Sequence, residues 1–257
     1  MYNELFTIGP ITIYGYGLMI AIGIIAAYIL TEQLAKKSGL DPDPIFTILI
    51  ISVGCGFVGA KLLYYITILD EILANPKLLL NIADGFVVYG GIIAGIIPVV
   101  FYCKKKGLSF LSYFDCAAPS IALAQGIGRI GCFLSGCCYG VEMDSPISIT
   151  FTNSACAPNN VPLFPSQLVS SAFNFVHFIV LFILFKKNKQ PGKVGACYLI
   201  FYSIGRFIIE FFRGDLERGA VGALSTSQFI SLFVLVVGIV MLVLICRKEK
   251  SSRLNEE

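Results

Sequence analysis

Seven stretches of about twenty apolar residues run through the chain, over 14–34, 44–69, 86–103, 113–134, 167–185, 194–212 and 228–246. Each is long enough to cross about 30 Å of hydrocarbon as an α-helix. Within a bilayer every backbone N–H and C=O must find its partner inside the protein, so only helices and closed barrels can span. The runs are continuously apolar and longer than the ~10-residue alternating strands of a barrel. The expected fold class is therefore all-α, a polytopic membrane protein with seven transmembrane helices. Little chain is left for anything else: 1–257 reads as a single transmembrane domain, with 135–166 as its longest connection and 247–257 as a tail. Composition agrees, since 14% of the residues are charged, against roughly 25% in soluble domains. No Lys or Arg precedes the first run, and no small-residue cleavage site follows a short apolar core. That run is expected to stay as a helix and not to leave as a signal peptide.

Orientation is read from the basic residues, which collect in cytoplasmic loops. Lys36 and Lys37 lie between runs one and two, Lys104 to Lys106 between three and four, and Lys186, Lys187, Lys189 and Lys193 between five and six. Arg247, Lys248, Lys250 and Arg253 occupy the tail, so these positions hold thirteen of the nineteen Lys and Arg. The alternate connections hold only Lys77, Arg213 and Arg218. This bias predicts the N-terminus outside and the C-terminus in the cytoplasm, with 135–166 extracytoplasmic. The net charge of +3 is then a topology signal, and it gives no reason to expect a nucleic-acid partner.

Three basic residues break the runs themselves: Lys61, Arg129 and Arg206. A charge at the bilayer centre costs at least about 2.5 kcal/mol by insertion scales, so it normally faces the bundle interior, finds a partner and marks a site. The plainer reading is a snorkelling or structural charge. Depth weighs against that reading for two of the three. The fourth and sixth spans both run outward, which brings Arg129 and Arg206 to one level near the outer leaflet. Gln125 lies four residues before Arg129 and Glu210 four after Arg206, each on the same helical face. Tyr16, Tyr89 and Gln167 enter the first, third and fifth spans at the same depth. Lys61 lies deeper and fits a cavity-lining role or a local pairing equally well. Two guanidinium groups beside a carboxylate suit a bulky anion, because guanidinium binds phosphate oxygens bidentately and keeps its charge. In an outer leaflet the abundant anions are phospholipid headgroups.

Glycine is concentrated around Arg129, in the stretch Gly128-Arg-Ile-Gly-Cys-Phe-Leu-Ser-Gly-Cys-Cys-Tyr-Gly140. Such spacing serves close helix packing in lipid or turns a chain so that its amides meet a phosphate. Tyr16 stands between Gly15 and Gly17, and Tyr89 precedes Gly90 and Gly91. This stretch resembles the signature of the bacterial prolipoprotein diacylglyceryl transferase family. Tyr16-Gly-Leu-Met19 is similar to that family's first-span motif, and Tyr89-Gly-Gly91 to its third-span His-Gly-Gly motif. Pro165-Ser-Gln-Leu168 resembles its His-Pro-Ser-Gln-Leu-Tyr-Glu motif, and Arg206-Phe-Ile-Ile-Glu-Phe-Phe-Arg213 resembles its sixth-span motif almost letter for letter. The matches occur in order along nearly the whole chain.

The resemblance implies a multi-pass enzyme of the bacterial cytoplasmic membrane that works within the lipid bilayer. Its donor would be phosphatidylglycerol and its acceptor the lipobox cysteine in the signal peptide of a prolipoprotein. Arg129 and Arg206 would hold the phosphate, with Glu210 orienting Arg206. Tyr89 would stand at the position of the family's histidine, its candidate base. Tyr16, Gln167 and Gly140 would line the substrate pocket, as would Cys132 and Cys137 at the signature's Asn and Glu positions. Such a mechanism requires no cofactor and no metal. A divergent relative that moves a lipid group to another acceptor is the alternative these substitutions leave open. A transporter is a further alternative, although its charges would gather at the midplane, usually in a repeated architecture, and no internal repeat is found.

Cysteine usage adds one expectation. Cys132, Cys137, Cys138 and Cys156 fall at or beyond the outer surface, where an even number suggests a disulfide between Cys156 and one of the pair. Their spacing matches no common zinc pattern, and the sole histidine, His177, lies mid-span, where a structural hydrogen bond is expected.

Overall fold

The computed structural model describes residues 4–8, 11–81, 85–188, 190–215 and 219–254. Lys189 and Arg218 of the charge pattern lie outside them. The chain opens with a hairpin of β1 (Glu4–Ile8) and β2 (Ile11–Tyr14), then enters helix α1 (Gly15–Lys37). Helix α2 (Asp43–Thr67) is followed by the short α3 (Leu69–Ala74), a 3₁₀ turn at Pro76–Leu80, α4 (Val88–Lys106) and α5 (Phe110–Ser135). A connection with the short strands β3 (Ile149–Thr150) and β4 (Pro162–Leu163) leads to α6 (Ser166–Lys187) and α7 (Lys193–Glu210). A second small pair, β5 (Ala220–Val221) and β6 (Leu224–Ser225), precedes α8 (Thr226–Leu254).

The seven apolar runs thus correspond to seven long helices. Six of these, all but α7, are long and apolar enough to cross a membrane, so the protein is an all-α polytopic membrane protein. The exception has a cause in its sequence: α7 carries Lys193, Arg206 and Glu210 within eighteen residues. Helix ends follow local chemistry. α4 closes with Lys104 to Lys106 in its last turn and Gly107 in the left-handed region at φ 68°, its N–H returning to Cys103 and Lys104. A glycine C-cap and late cations are the usual end of a helix. Helix α8 continues through residues 247–254 of the expected tail.

The chain forms two compact units, residues 32–113 and residues 1–31 with 114–257. In the first, α2 and α4 pack glycine to glycine. A Cβ at Gly59 would come within 2.6 Å of the Gly90 carbonyl oxygen, and one at Gly91 within 3.0 Å of that of Gly56. Gly90 and Gly91, which follow Tyr89, therefore serve close helix packing. Lys61 is resolved here as a local pairing. Its Nζ donates to the Asn81 carbonyl at 2.7 Å and sits among the Tyr64, Tyr65 and Phe86 rings at 4.8–5.2 Å.

In the other unit α5, α6, α7 and α8 pack together. Ser171 Oγ on α6 donates to the Gly126 carbonyl on α5 at 2.8 Å. Gly131 lets the first turn of α1 lie against α5, since a Cβ there would be 3.3 Å from Tyr16 Cα. The start of α7 is capped from a distance: buried Asp115 accepts from the Gly192 and Gly195 amides at 2.6 and 2.7 Å. These are two of the four N–H groups that a helix start leaves without intrahelical partners. Apolar side chains such as Ile25, Val176, Phe233 and Val240 remain exposed along the helices. Large apolar surfaces of this kind suit lipid and not water.

Candidate functional site

The sixth-run motif forms a rigid charged group. On α7, Arg206 Nη1 and Glu210 Oε2 form an ion pair at 2.6 Å, with side-chain exposures of only 12% and 7%. Arg206 Nη2 donates to Ser227 Oγ at 2.8 Å, and Glu210 Oε1 accepts from Ser225 Oγ at 2.9 Å. Four residues' separation along one helix brings the charges together, and the entry to α8 locks both outer atoms. Arg129, on α5, is different. It is half-buried and, among the described residues, has no hydrogen-bond or ion-pair partner.

Arg129 and Arg206 line one open-sided pocket, with Ser170 and Asn174 from α6 and Tyr202 from α7. One guanidinium is fixed and the other is available, a combination that can hold a phosphate on two sides. Asn174 Nδ2 donates to the Ser170 carbonyl at 2.7 Å, while its buried Oδ1 has no partner among the described residues. Ser170, Asn174 and Tyr202 escaped the sequence reading. Ser170 lies one turn and Asn174 two turns beyond Gln167 on α6, and Tyr202 lies one turn before Arg206 on α7; that spacing is the signal that could have found them. Gln125 lies outside the residues lining this pocket and donates through Nε2 to Tyr198 OH at 2.9 Å.

The glycine-rich exit of α5 is held between two other segments. Val141 N–H donates to the Phe212 carbonyl, Gly214 N–H to that of Tyr139, and Phe164 N–H to that of Val141, at 2.9–3.0 Å. Gly140 pairs with Arg213 in an antiparallel bridge. A Cβ on Gly140 would lie 2.9 Å from the Phe212 carbonyl and closer still to that of Phe164, so this position has room for hydrogen only. The Pro165-Ser-Gln motif serves the same exit. Ser166 Oγ donates to the Cys138 carbonyl at 2.7 Å and Gln167 Nε2 to that of Cys137 at 2.9 Å, and both residues are fully buried. Gln167 therefore acts on the backbone around Cys137.

That backbone presents a cluster of thiols. The sulfur atoms of Cys132, Cys137 and Cys138 all lie within 4.8 Å of one another. Tyr16 and Arg129 are near enough to interact electrostatically with the cluster. Hydrogen bonds with Cys132 and Cys137, reinforced by the Arg213 and Arg129 guanidinium groups, hold the Cys138 thiol far below its ordinary pKa. Cys137 is pushed far up by the same hydrogen bonds and by burial. The expected disulfide to Cys156 is not formed: Cys156 is an exposed free cysteine. His177 does not make the expected hydrogen bond: no partner is found for either of its ring nitrogens among the described residues. It stacks instead on Tyr198, with centroids 5.3 Å apart and planes 8° from parallel. Tyr89 stands in the first turn of α4, in the unit formed by residues 32–113.

The profile of the prolipoprotein diacylglyceryl transferase family matches residues 3–244. A phosphatidylglycerol–prolipoprotein diacylglyceryl transferase of Clostridium tetani is 49% identical, with 91% of this chain and 94% of the relative aligned. A protein of Clostridium perfringens named phosphatidylglycerol–prolipoprotein diacylglyceryl transferase 2 is 45% identical over 89% of this chain and 90% of its own. The enzyme of that name from Finegoldia magna is 34% identical over 92% of both chains.

Proposed function

The chain belongs to the prolipoprotein diacylglyceryl transferase family, and from this we propose that it transfers the diacylglyceryl group of phosphatidylglycerol to the lipobox cysteine of a prolipoprotein. The observation that carries the reading is the pocket in which a clamped Arg206 faces Arg129, which has no hydrogen-bond or ion-pair partner among the described residues. In this reaction the acceptor thiolate attacks the glyceryl carbon next to the phosphate. The carbon–oxygen bond breaks, its electron pair goes to the phosphate oxygen, and glycerol phosphate departs as a thioether forms. The phosphate changes from a singly charged diester to a monoester that carries more negative charge. A second guanidinium is therefore worth more in the transition state than in the bound donor, which is the condition for catalysis. A neutral amine base could not supply such charge, whereas arginine stays protonated in a low dielectric.

Glu210 and Ser227 fix Arg206; Gly140 and Gln167 shape the α5 exit through its backbone. Tyr16, Cys132 and Cys137 line the headgroup side beside Arg129. Tyr89, at the position of the family's histidine, is assigned to the proton of the acceptor thiol, whose ordinary pKa near 8.5 leaves it mostly protonated at neutral pH. We assign seven spans with the N-terminus outside, in a bacterial cytoplasmic membrane, where donor lipid and exported signal peptide meet. The test is purified protein in micelles with acyl-labelled phosphatidylglycerol and a lipobox peptide. Label on the peptide, absent when its cysteine is serine, is expected together with released glycerol phosphate. Unlabelled peptide, under conditions where a relative is active, overturns the reading.

A further inference from the structure

Three neighbouring thiols form and break no bond in this reaction, although two of them, Cys132 and Cys137, are assigned to line its headgroup side. Cys132, from the last turn of α5, and Cys137 and Cys138, from the turn beyond, direct three sulfur atoms to one point, all within 4.8 Å of one another. Consecutive residues seldom turn their side chains the same way. Here Cys138 does so by taking φ of 60°. A non-glycine residue in that left-handed region costs about 1–2 kcal/mol, and such strain persists where the surroundings impose it, often at functional sites. The surroundings are the Ser166 and Gln167 side chains, which hold the Cys138 and Cys137 carbonyls. Ser135 Oγ donates to the Cys132 carbonyl at 3.1 Å and lies 3.1 Å from Cys137 Sγ.

We propose that Cys132, Cys137 and Cys138 form a binding site for a thiophilic divalent cation of the zinc class, with a fourth position left for a small exchangeable ligand. Zinc–sulfur bonds of about 2.3 Å place tetrahedral sulfurs roughly 3.8 Å apart, so rotamer adjustments of about an ångström close the site. An all-sulfur set selects soft metals over magnesium or calcium. Three thiolates and a divalent ion leave one negative charge. Arg129 and Arg213 stand beside it, the latter hydrogen-bonded to Cys138. Three protein ligands with an open position are the pattern of reactive and not of closed structural zinc sites. A disulfide is the competing use of the thiols, and it fits less well. Adjacent Cα atoms are about 3.8 Å apart, short of the ~4.4 Å lower limit usual for a disulfide, and any pair including Cys132 strands the third sulfur. The site rests on thiol geometry alone, whatever reaction the neighbouring pocket serves.

The test uses full-length protein in detergent, reduced with a phosphine, freed of metal by a chelator and then loaded with cadmium or zinc. About one equivalent of cadmium should survive gel filtration and give a sulfur-to-cadmium charge-transfer band. Loss of a second-shell partner alone costs about 10–100-fold in metal affinity, so Cys132→Ser and Cys137→Ser should each lose at least that, while Cys156→Ser binds as the wild type does. Alkylation followed by peptide mass analysis gives a readout that needs no variant. Metal should protect Cys132, Cys137 and Cys138 but leave the exposed Cys156 open to labelling. The proposal is overturned if no metal is retained, if the three thiols are alkylated equally with and without metal, or if a Cys132 disulfide re-forms in preference to metal binding.

Discussion

Arg206 and Arg129 carry the same charge into the same pocket under different constraints. The Arg206–Glu210 pair is nearly buried, and removing one partner of a buried pair typically costs 3–5 kcal/mol because the other charge is left uncompensated. Glu210→Gln should therefore lower the thermal unfolding temperature in detergent markedly, and transfer should fall with it. Arg129 has no hydrogen-bond or ion-pair partner among the described residues to abandon. Arg129→Ala should leave the unfolding temperature near that of the wild type while reducing kcat for transfer by about 10²–10³-fold, the usual effect of removing one donor from a developing anion. Equal losses of stability in the two variants would contradict this division of roles.

Helices of this chain are held in register by contacts whose partners lie far apart in sequence, and Gly140 is where three segments meet. Overpacking a close site costs about 1–3 kcal/mol. At Gly140 the neighbours are the backbone carbonyls of Phe164 and Phe212, which cannot rotate away. Gly140→Ala should lower unfolding temperature and transfer rate together, measured on the same detergent preparation; an unchanged unfolding temperature would count against the clamp. Periodicity and charge made the helices legible, and the Arg206–Glu210 pair too, because four residues along one helix determine it. The Asp115 cap was not legible, since it reaches Gly192 and Gly195 some eighty residues on. Nor was the bond from Gln167 to Cys137, which joins separate elements. The thiol cluster depended on a positive φ at Cys138, a conformation for which cysteine has no preference. The strands β3 to β6, of two residues each, are too short for any alternation to register.

Among the described residues, six helices have the length and apolarity of membrane spans, and α7, with three charged residues, is the long helix that does not. Of the α7 charges, Arg206 lines the pocket with residues of α5 and α6, while Lys193 pairs with Glu249 on α8. The central claim is that guanidinium groups from two helices act on one phosphate. A double-mutant cycle on transfer from labelled phosphatidylglycerol tests it most directly, comparing Arg129→Ala, Arg206→Ala and the double variant with the wild type. Residues that act as a unit are strongly non-additive, so the double variant should transfer little more slowly than the slower single variant. Losses that multiply across the cycle would mean two independent tasks and would contradict a shared phosphate.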